Sequence, residues 1–590
     1  SLGLSSSTST NHTSISGGTV QIVGDALTIP ESFSISGTGY TSKGTIRNEG
    51  GDNTLSGTIT LAAAATIISG GTQSTDSLVV SGPINLSSFI LTIESSEAAR
   101  IAGVISGTGG LTKTGADVVL ITNTNTYTGA TTVSGGTLQI SGSGKFGSTG
   151  SYGGAISIAS GAVLQHSSSS SQSLYGAISG SGSVVKDTSV TSTLSLTTSN
   201  TYSGGTFVKA GTLYISYAAG AGASTSAITL GDTSGSNAAI LSVANTITVP
   251  NPIALNTNGA LSVQTAGGWA ITFSGGVTGT NDLTINASGN TITFSTNSVN
   301  NAGKVTNAGS GYLVTISGGI GSNVTEIIEN SSSAAMTISG AITPNANGTT
   351  ITNNNASGSS LLTISGGASG TGNLIFKNNS SISNGITVST TSLNNTGTIT
   401  NSGTGSGNTL ISSVIGTNVT GVTQNSSTST LTLSGVNTYT STTTITSGTL
   451  KLGASGVISD SSAVVVNGTL DLYGATESVG SISGSGTITN SSNSSITFTT
   501  GGDGTSTTFS GVIQNGSGSG TTLGLTKVGS GTLTLSGTST YTGVTTISAG
   551  TLSASTLANG GSNSNIGAAT NAASNLVLNG GTLMYTGAAV

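Results

Sequence analysis

The chain has 590 residues, of which 5% are charged, 93 are glycine and none is cysteine, with a formal net charge of −6. With 34% hydrophobic residues and a mean hydropathy of +0.21, it is too apolar and too weakly charged for a disordered low-complexity chain. The acidic balance excludes the basic footprint of a nucleic-acid binder. The longest apolar run, LAAAATII (61–68), is too short to span a bilayer as a helix.

The opening SLGLSSSTST has no basic stretch followed by an apolar one, so any signal peptide is expected to have been removed or to lie outside this sequence. The lack of cysteine fits a protein exported unfolded, or one with a core large enough to need no disulfides. From there on the pattern is short alternating runs: TVQIV (19–23), ISI (156–158), TLYIS (212–216), VVVNGTLDLY (464–473) and GTLTLSG (531–537). Each is bounded by Gly, Ser or Asn, as strands with tight corners are. No sustained helical stripe occurs, and the helix formers Glu, Lys, Arg and Met are scarce.

Internal repeats organise the chain. NTYTGATTVSGGTL (125–138) returns as NTYSGGTFVKAGTL (200–213), NTYTSTTTITSGTL (437–450) and STYTGVTTISAGTL (539–552). Tyr127, Tyr202, Tyr439 and Tyr541 each stand ten residues before the Thr of a Gly-Thr-Leu: Thr137, Thr212, Thr449 and Thr551. Upstream, Lys113 and Lys527 each precede their Tyr by fourteen residues, and ISGSGSVVK (178–186) is a looser copy. A longer repeat fills the middle. SVNNAGKVTNAGSG (298–311) matches SLNNTGTITNSGTG (392–405), and GSNVTEIIENSS (321–332) matches GTNVTGVTQNSS (416–427).

These periods predict an all-β fold, a right-handed parallel β-helix or β-solenoid, with short strands and Gly/Asn/Ser corners. About 24 coils of roughly 25 residues would make a rod on the order of 110–120 Å long. Three regions are expected in one continuous rod. They are an N-terminal solenoid with two of the Tyr-bearing repeats (1–264), the duplicated Asn-rich blocks (265–435) and a C-terminal solenoid with the other two (436–590).

The string ISGTGGLTKTGADVVLITNTNTYTGATTVSGGTLQI (105–140) resembles the autotransporter-associated β-strand repeat, also called the passenger-associated transport repeat, of bacterial type V secreted proteins. The segments 178–215, 430–452 and 524–552 are similar, 430–452 without the Lys word. The resemblance covers about a quarter of the chain. It implies a secreted, β-helical passenger at the bacterial cell surface and no particular activity. A C-terminal membrane β-barrel is not seen. The chain ends at LMYTGAAV (583–590), within what reads as another repeat, so a translocator is expected to have been cleaved off, replaced by another export route, or to lie outside this sequence.

Residues able to do chemistry are few: eleven Lys plus Arg, seventeen Asp plus Glu and two His. His12 and His166 read as solvated loop residues. Glu94 and Glu97 read as a local ion pair with Arg100 on a surface loop. Glu49 and Asp52 have calcium-ligand character but read as a polar turn, and GGDG (501–504) is a calcium-repeat fragment lacking its second Asp. Glu326 and Glu329, replaced by Gly421 and Gln424 in the duplicate, read as tolerant surface. Gly-rich GTGG (107–110) and GSGSG (516–520) read as corners, because no Gly-Lys-Ser/Thr follows them. Trp269 has the form of a sugar-stacking platform or, more plainly, of a core or coil-edge aromatic. The Tyr series reads as corner residues that pack across the coil and bond through the hydroxyl. Glycosylation sequons at Asn11, Asn323 and Asn418 are what so Asn- and Ser/Thr-rich a chain produces by chance.

No catalytic, cofactor-binding or metal residue is assigned, and no cofactor. The expected role is an extracellular structural solenoid that forms a bacterial surface fibre or matrix by end-to-end association of copies, since SISGGTVQIVGDALTI (14–29) and NLVLNGGTLMYTG (575–587) read as uncapped coils. The alternative is a monomeric adhesin stalk that binds cell-surface or matrix glycans through 217–270. A flat Thr face for ice, suggested by TSTTTITSGT (440–449), and an enzyme are the weaker readings. Expected partners are copies of itself and such glycans, with no nucleic acid and no membrane span.

Overall fold

A computed structural model describes residues 12–70, 77–355, 359–516 and 520–588. The opening SLGLSSSTST, the Asn11 sequon and the centre of GSGSG lie outside them. Parallel strands stack in about 24 turns to form a β-solenoid. Among the described residues, helix is limited to two three-residue 3-10 turns, Tyr40–Ser42 and Ala573–Asn575, and no helix is long and apolar enough to cross a membrane.

The chain divides into two compact units, Ser1–Ile292 and Thr293–Val590. In the first, one twelve-stranded sheet includes strands from Thr13–Ser16 to Ile178–Gly180, and a second runs from Thr28–Ile29 to Val277–Gly279. A third face starts at Ser151–Tyr152. In the second unit, one face is built from strands including Gly303–Asn307 through Ser481–Ser483, and another from Val314–Ile316 through Val512–Ile513. The last turns use a five-stranded sheet ending at Leu576–Leu578 and a four-stranded sheet ending at Thr582–Tyr585.

Alternation along each strand explains the core. In the second unit the strands read VTI, MTI, LTI and ITV, with outer residues inward and the middle Thr outward, as the period of two requires. Register stacks like on like. Ile316, Ile338, Ile364, Val388, Ile411, Leu433 and Leu452 pair in succession and all are fully buried. Thr315, Thr337, Thr363 and Thr387 make the matching outer ladder. In the first unit Leu194, Leu213, Leu241, Val263 and Ile285 do the same. Leu213 pairs with Leu241 and Leu433 with Leu452, so the residues per turn vary. The strands hold register while corners absorb the difference. β-branched and Leu side chains suit these half-buried pleats, and each turn buries its apolar face only against its neighbours.

Corners need backbone that L-residues avoid. Gly222 (φ 88°) and Gly567 (φ 88°) both turn against a Tyr of the repeated phrase. A Cβ at either would come within 2.6 Å of that Tyr carbonyl and 2.9 Å of its ring. Glycine is required there by both the positive φ and the close approach.

Candidate functional site

The repeated phrase forms one recurring polar device. Each Tyr is buried, and its hydroxyl bonds the Thr four residues on. The distances are 2.7 Å for Tyr127–Thr131, 2.6 Å for Tyr202–Thr206, 2.8 Å for Tyr439–Thr443 and 2.7 Å for Tyr541–Thr545. These Tyr residues are buried and bond through the hydroxyl, as expected. Burial pushes the phenols upward, beyond any ordinary titration, so they act as neutral hydrogen-bonding groups. In the first copy Thr131 also bonds the Tyr152 hydroxyl at 2.6 Å. There Tyr127, Phe146 and Tyr152 form an aromatic triangle with ring centres 5.2–5.7 Å apart.

Two residues before each of the first three Tyr stands a buried Asn that joins three turns. Asn125 Oδ1 accepts from the Ile105 amide at 2.8 Å, and its Nδ2 donates to the Lys145 carbonyl at 3.1 Å. Asn200 does the same between Ile178 (2.8 Å) and Gly220 (2.6 Å). Asn437 does so between Ile415 (2.7 Å) and Val457 (2.8 Å). The next residue's amide returns a bond to the same Ile carbonyl, from Thr126, Thr201 and Thr438. The Asn thus supplies the acceptor that an extended backbone would have supplied, at a place where the chain is turning. In the fourth copy Ser539 takes this place and accepts from Ile513 at 3.2 Å.

The lysines of the upstream word are buried too. Lys113 Nζ donates to the carbonyls of Thr114 (2.7 Å), Gly115 (2.9 Å) and Gly135 (3.0 Å), the last on the next turn. Lys527 donates to Val528 (2.6 Å), Gly529 (3.0 Å) and Ala549 (3.5 Å). Lys186 donates to Asp187 (3.3 Å) and Ser189 (2.9 Å). Burial lowers Lys113 and Lys186 to about 8, although Asp117 and Asp187 respectively oppose the shift. The copy without a lysine keeps the device. Lys113, Lys186 and Lys527 pair in register with Val133, Val208 and Ile547, each six residues after its Tyr. Gln424 pairs with Ile445, six after Tyr439, and its Nε2 donates to the carbonyls of Ser426 (3.0 Å) and Ser429 (2.8 Å).

Several sequence readings are corrected. His166 is not a solvated loop residue. It ends the strand Val163–His166, is 1% exposed and stacks in register on Lys186. Alternation from buried Leu164 points it inward, and burial followed by the Lys186 charge lowers it to about 4. His12 is exposed. Glu329 is not tolerant surface. It is fully buried, accepts from Asn307 Nδ2 (2.9 Å) and the Ser331 amide (2.8 Å), and is raised to about 7 by burial against those two bonds. Gln424 is its counterpart in the duplicate and accepts from Asn401 Nδ2 at 2.8 Å. Glu326 is partly exposed and pairs with Lys304 at 3.0 Å. Glu94 and Glu97 form no ion pair with Arg100 within 4 Å among the described residues. A corner separates the strand Leu91–Ser95 from Ala99–Ile101, and the two belong to different sheets.

Other acidic residues serve as turn acceptors. Glu49 pairs with Arg47 (2.8 Å) and accepts from Gln21 (3.1 Å), and Asp52 accepts from the Ser77 hydroxyl (2.6 Å). In GGDG, Asp503 accepts from Ser481 and from Thr505 twice. Burial pushes its carboxyl up, but those bonds outweigh it and hold it below its ordinary value. Glu477, which composition did not flag, is buried, accepts from the amides of Val457 (3.1 Å) and Ile458 (2.6 Å), and is raised to about 7 by burial. Among the described residues no group of three His, Cys, Asp or Glu could hold a metal ion. Trp269 lies at a coil edge, 48% exposed. Asn323 and Asn418 are exposed corner residues whose amides donate to Asn300 and Asn394 in matching places of the two blocks. In 440–449, Thr443 points inward, so that Thr run does not form one flat face.

The passenger-associated transport repeat family model matches residues 111–140, 191–215, 426–452 and 525–554; all four segments carry the Tyr–Thr bond, the first and last also hold Lys113 and Lys527, and Lys186 and Gln424 lie just before the second and third. Comparisons with curated proteins and with solved structures return no match.

Two outcomes follow for stability. Lys113→Leu leaves three carbonyls without their donor and is expected to cost about 2–4 kcal/mol. Lys113→Gln, the natural solution at Gln424, is expected to cost less than half as much, and urea denaturation followed by circular dichroism compares them. For Glu329 the folded value lies above the unfolded one of 4.5, so its stabilising contribution is fully present below about pH 4.5 and is lost as pH rises through 7. His166 works in the opposite sense between 4 and 6.5. Comparing Glu329→Gln with the parent isolates the carboxyl. The variant is expected to match the parent near pH 5 and to be more stable than it at pH 8, a swing on the order of 3 kcal/mol.

Proposed function

We propose that this passenger-like repeat chain is an extracellular structural β-solenoid of a bacterial surface, and that its copies join end to end into a fibre or matrix. The observation that carries this reading is the use made of the reactive side chains. Lys113, Lys186, Lys527, His166, Glu329 and Glu477 are all buried within coils, where all but His166 bond the backbone of their own or adjacent turns. The four family-model matches support this reading, because such repeats belong to autotransporter-associated passenger proteins. Self-association along the stacking direction follows from the repeats themselves. Near-copies of one coil recur in different surroundings, so a coil's upper and lower faces fit many neighbours. Head-to-tail contact of this kind is heterologous and does not close. The reading assigns no catalytic residue, cofactor or metal.

The second reading, a monomeric adhesin stalk, is favoured by exposed aromatic residues at coil edges within 217–270, Tyr217 and Trp269. Negative-stain electron microscopy with sedimentation velocity over a concentration series separates the two. Filaments lengthening with concentration are expected, whereas rods of one length at every concentration would establish the stalk.

A further inference from the structure

In the first unit, one corner row carries large exposed aromatics on alternate turns. The strands Gln172–Leu174, Thr193–Leu196, Gly211–Ile215, Ala239–Val243 and Leu261–Thr265 pair consecutively. Directly after the first comes Tyr175, 56% exposed; just after the third, Tyr217, 50% exposed; and at the corner after the fifth, Trp269, 48% exposed. The turns between present small polar residues at the same corner. Thr197 follows the second strand, its hydroxyl bonded to the Leu174 carbonyl (3.1 Å). Asn245 follows the fourth, exposed at φ 65°, its amide bonded to the Ser216 carbonyl (2.8 Å). Trp269 belongs to this row through Gly267. The Gly267 residue lies in register beyond Thr265, and a Cβ there would touch the indole at 3.7 Å. The corner segments 174–177, 197–199, 216–219, 244–246 and 266–270 contain no charged residue.

Alternation sets the aromatics two turns apart, a rise of roughly 9.5 Å along the stacking direction at ~4.8 Å per turn. An exposed Tyr or Trp ring offers an apolar face with a polar edge. Nothing in the coil requires such rings outside, because the core is complete without them. A β-linked pyranose chain in its extended two-fold form turns the same ring face to one side at every second sugar, and that repeat is close to two turns of the solenoid. Its axial C–H faces stack on aromatic rings, while its hydroxyls suit the Thr, Ser and Asn side chains of the intervening turns. A row without charge fits a neutral chain.

We propose that Tyr175, Tyr217 and Trp269 form a binding strip for a neutral, extended β-linked polysaccharide lying along the stacking direction, with alternate sugars on the three rings. The strip is independent of whether copies polymerise.

The test uses the full chain and isothermal titration calorimetry with long cello- and chito-oligosaccharides, and with malto-oligosaccharide as the α-linked control. Binding of at least one β-linked ligand is expected, without binding of the α-linked one. Each of Tyr175→Ala, Tyr217→Ala and Trp269→Ala is expected to weaken it about tenfold. All three residues point outward, so folding should be little changed, which circular dichroism checks. Tyr40→Ala, exposed but off the row, is expected to bind like the parent. No binding of either β-linked ligand, equal binding of the α-linked one, or parent-like binding by the triple variant would overturn the proposal.

Discussion

Everything in this fold depends on satisfying backbone polar groups where the chain turns. Along the strands, stacking at ~4.8 Å provides partners automatically. At corners it does not, and a buried unpaired amide or carbonyl costs about 1–3 kcal/mol. A solenoid repeats that problem at every turn, so a local solution has to be repeated as well. The Asn two residues before Tyr, the Tyr–Thr bond and the buried Lys or Gln are that solution. The Tyr–Thr bond closes the corner within its own turn, while the Asn side chains, Lys113, Lys527 and Gln424 also reach the turn before or after, which couples neighbouring turns and holds their register.

Substitutions among the copies show which property matters. At the lysine position the requirement is a long side chain with several N–H donors, and Gln424 meets it without charge. At the Asn position the requirement is an acceptor facing the preceding turn; Ser539 keeps that and gives up the second arm. Within the duplicated blocks, Glu329 and Gln424 fill one place as acid and amide. Burial raises the acid to about 7, so near neutrality the two differ less in charge than their sequences imply. A repeat can therefore drift in identity while its hydrogen-bond arithmetic is kept.

Much of the architecture was legible because the period of two is plain in such runs as VTI and LTI, and because the Tyr-to-Gly-Thr-Leu spacing never varies. The same alternation also holds the answers that were misread. Counting from Leu164 points His166 inward, and counting from Ile327 does the same for Glu329. Both read as surface in the sequence because polar, Ser- or Asn-rich segments follow them. A polar residue at a strand's end is easily read as loop when it is the last inward position before a corner. The Glu94–Arg100 pairing failed for the converse reason: nearness in sequence means little across a corner that sends the two strands to different sheets. The Tyr partner was hidden less deeply, since a Thr stands four residues after each Tyr in all four copies. The aromatic row of Tyr175, Tyr217 and Trp269 was not legible at all. Its members are separated by turns of unequal length, and only strand register brings them to one corner.

The most direct test concerns three amides. Ile105, Ile178 and Ile415 donate to Asn side chains rather than to backbone. Native-state hydrogen exchange measures each of them. If the Asn side chains couple the turns, these amides exchange as slowly as the strand interiors beside them, and Asn200→Ala speeds exchange at Ile178 and in the turns on either side. Fast exchange at all three in the parent chain, or an Asn200→Ala variant with unchanged protection, would contradict the account.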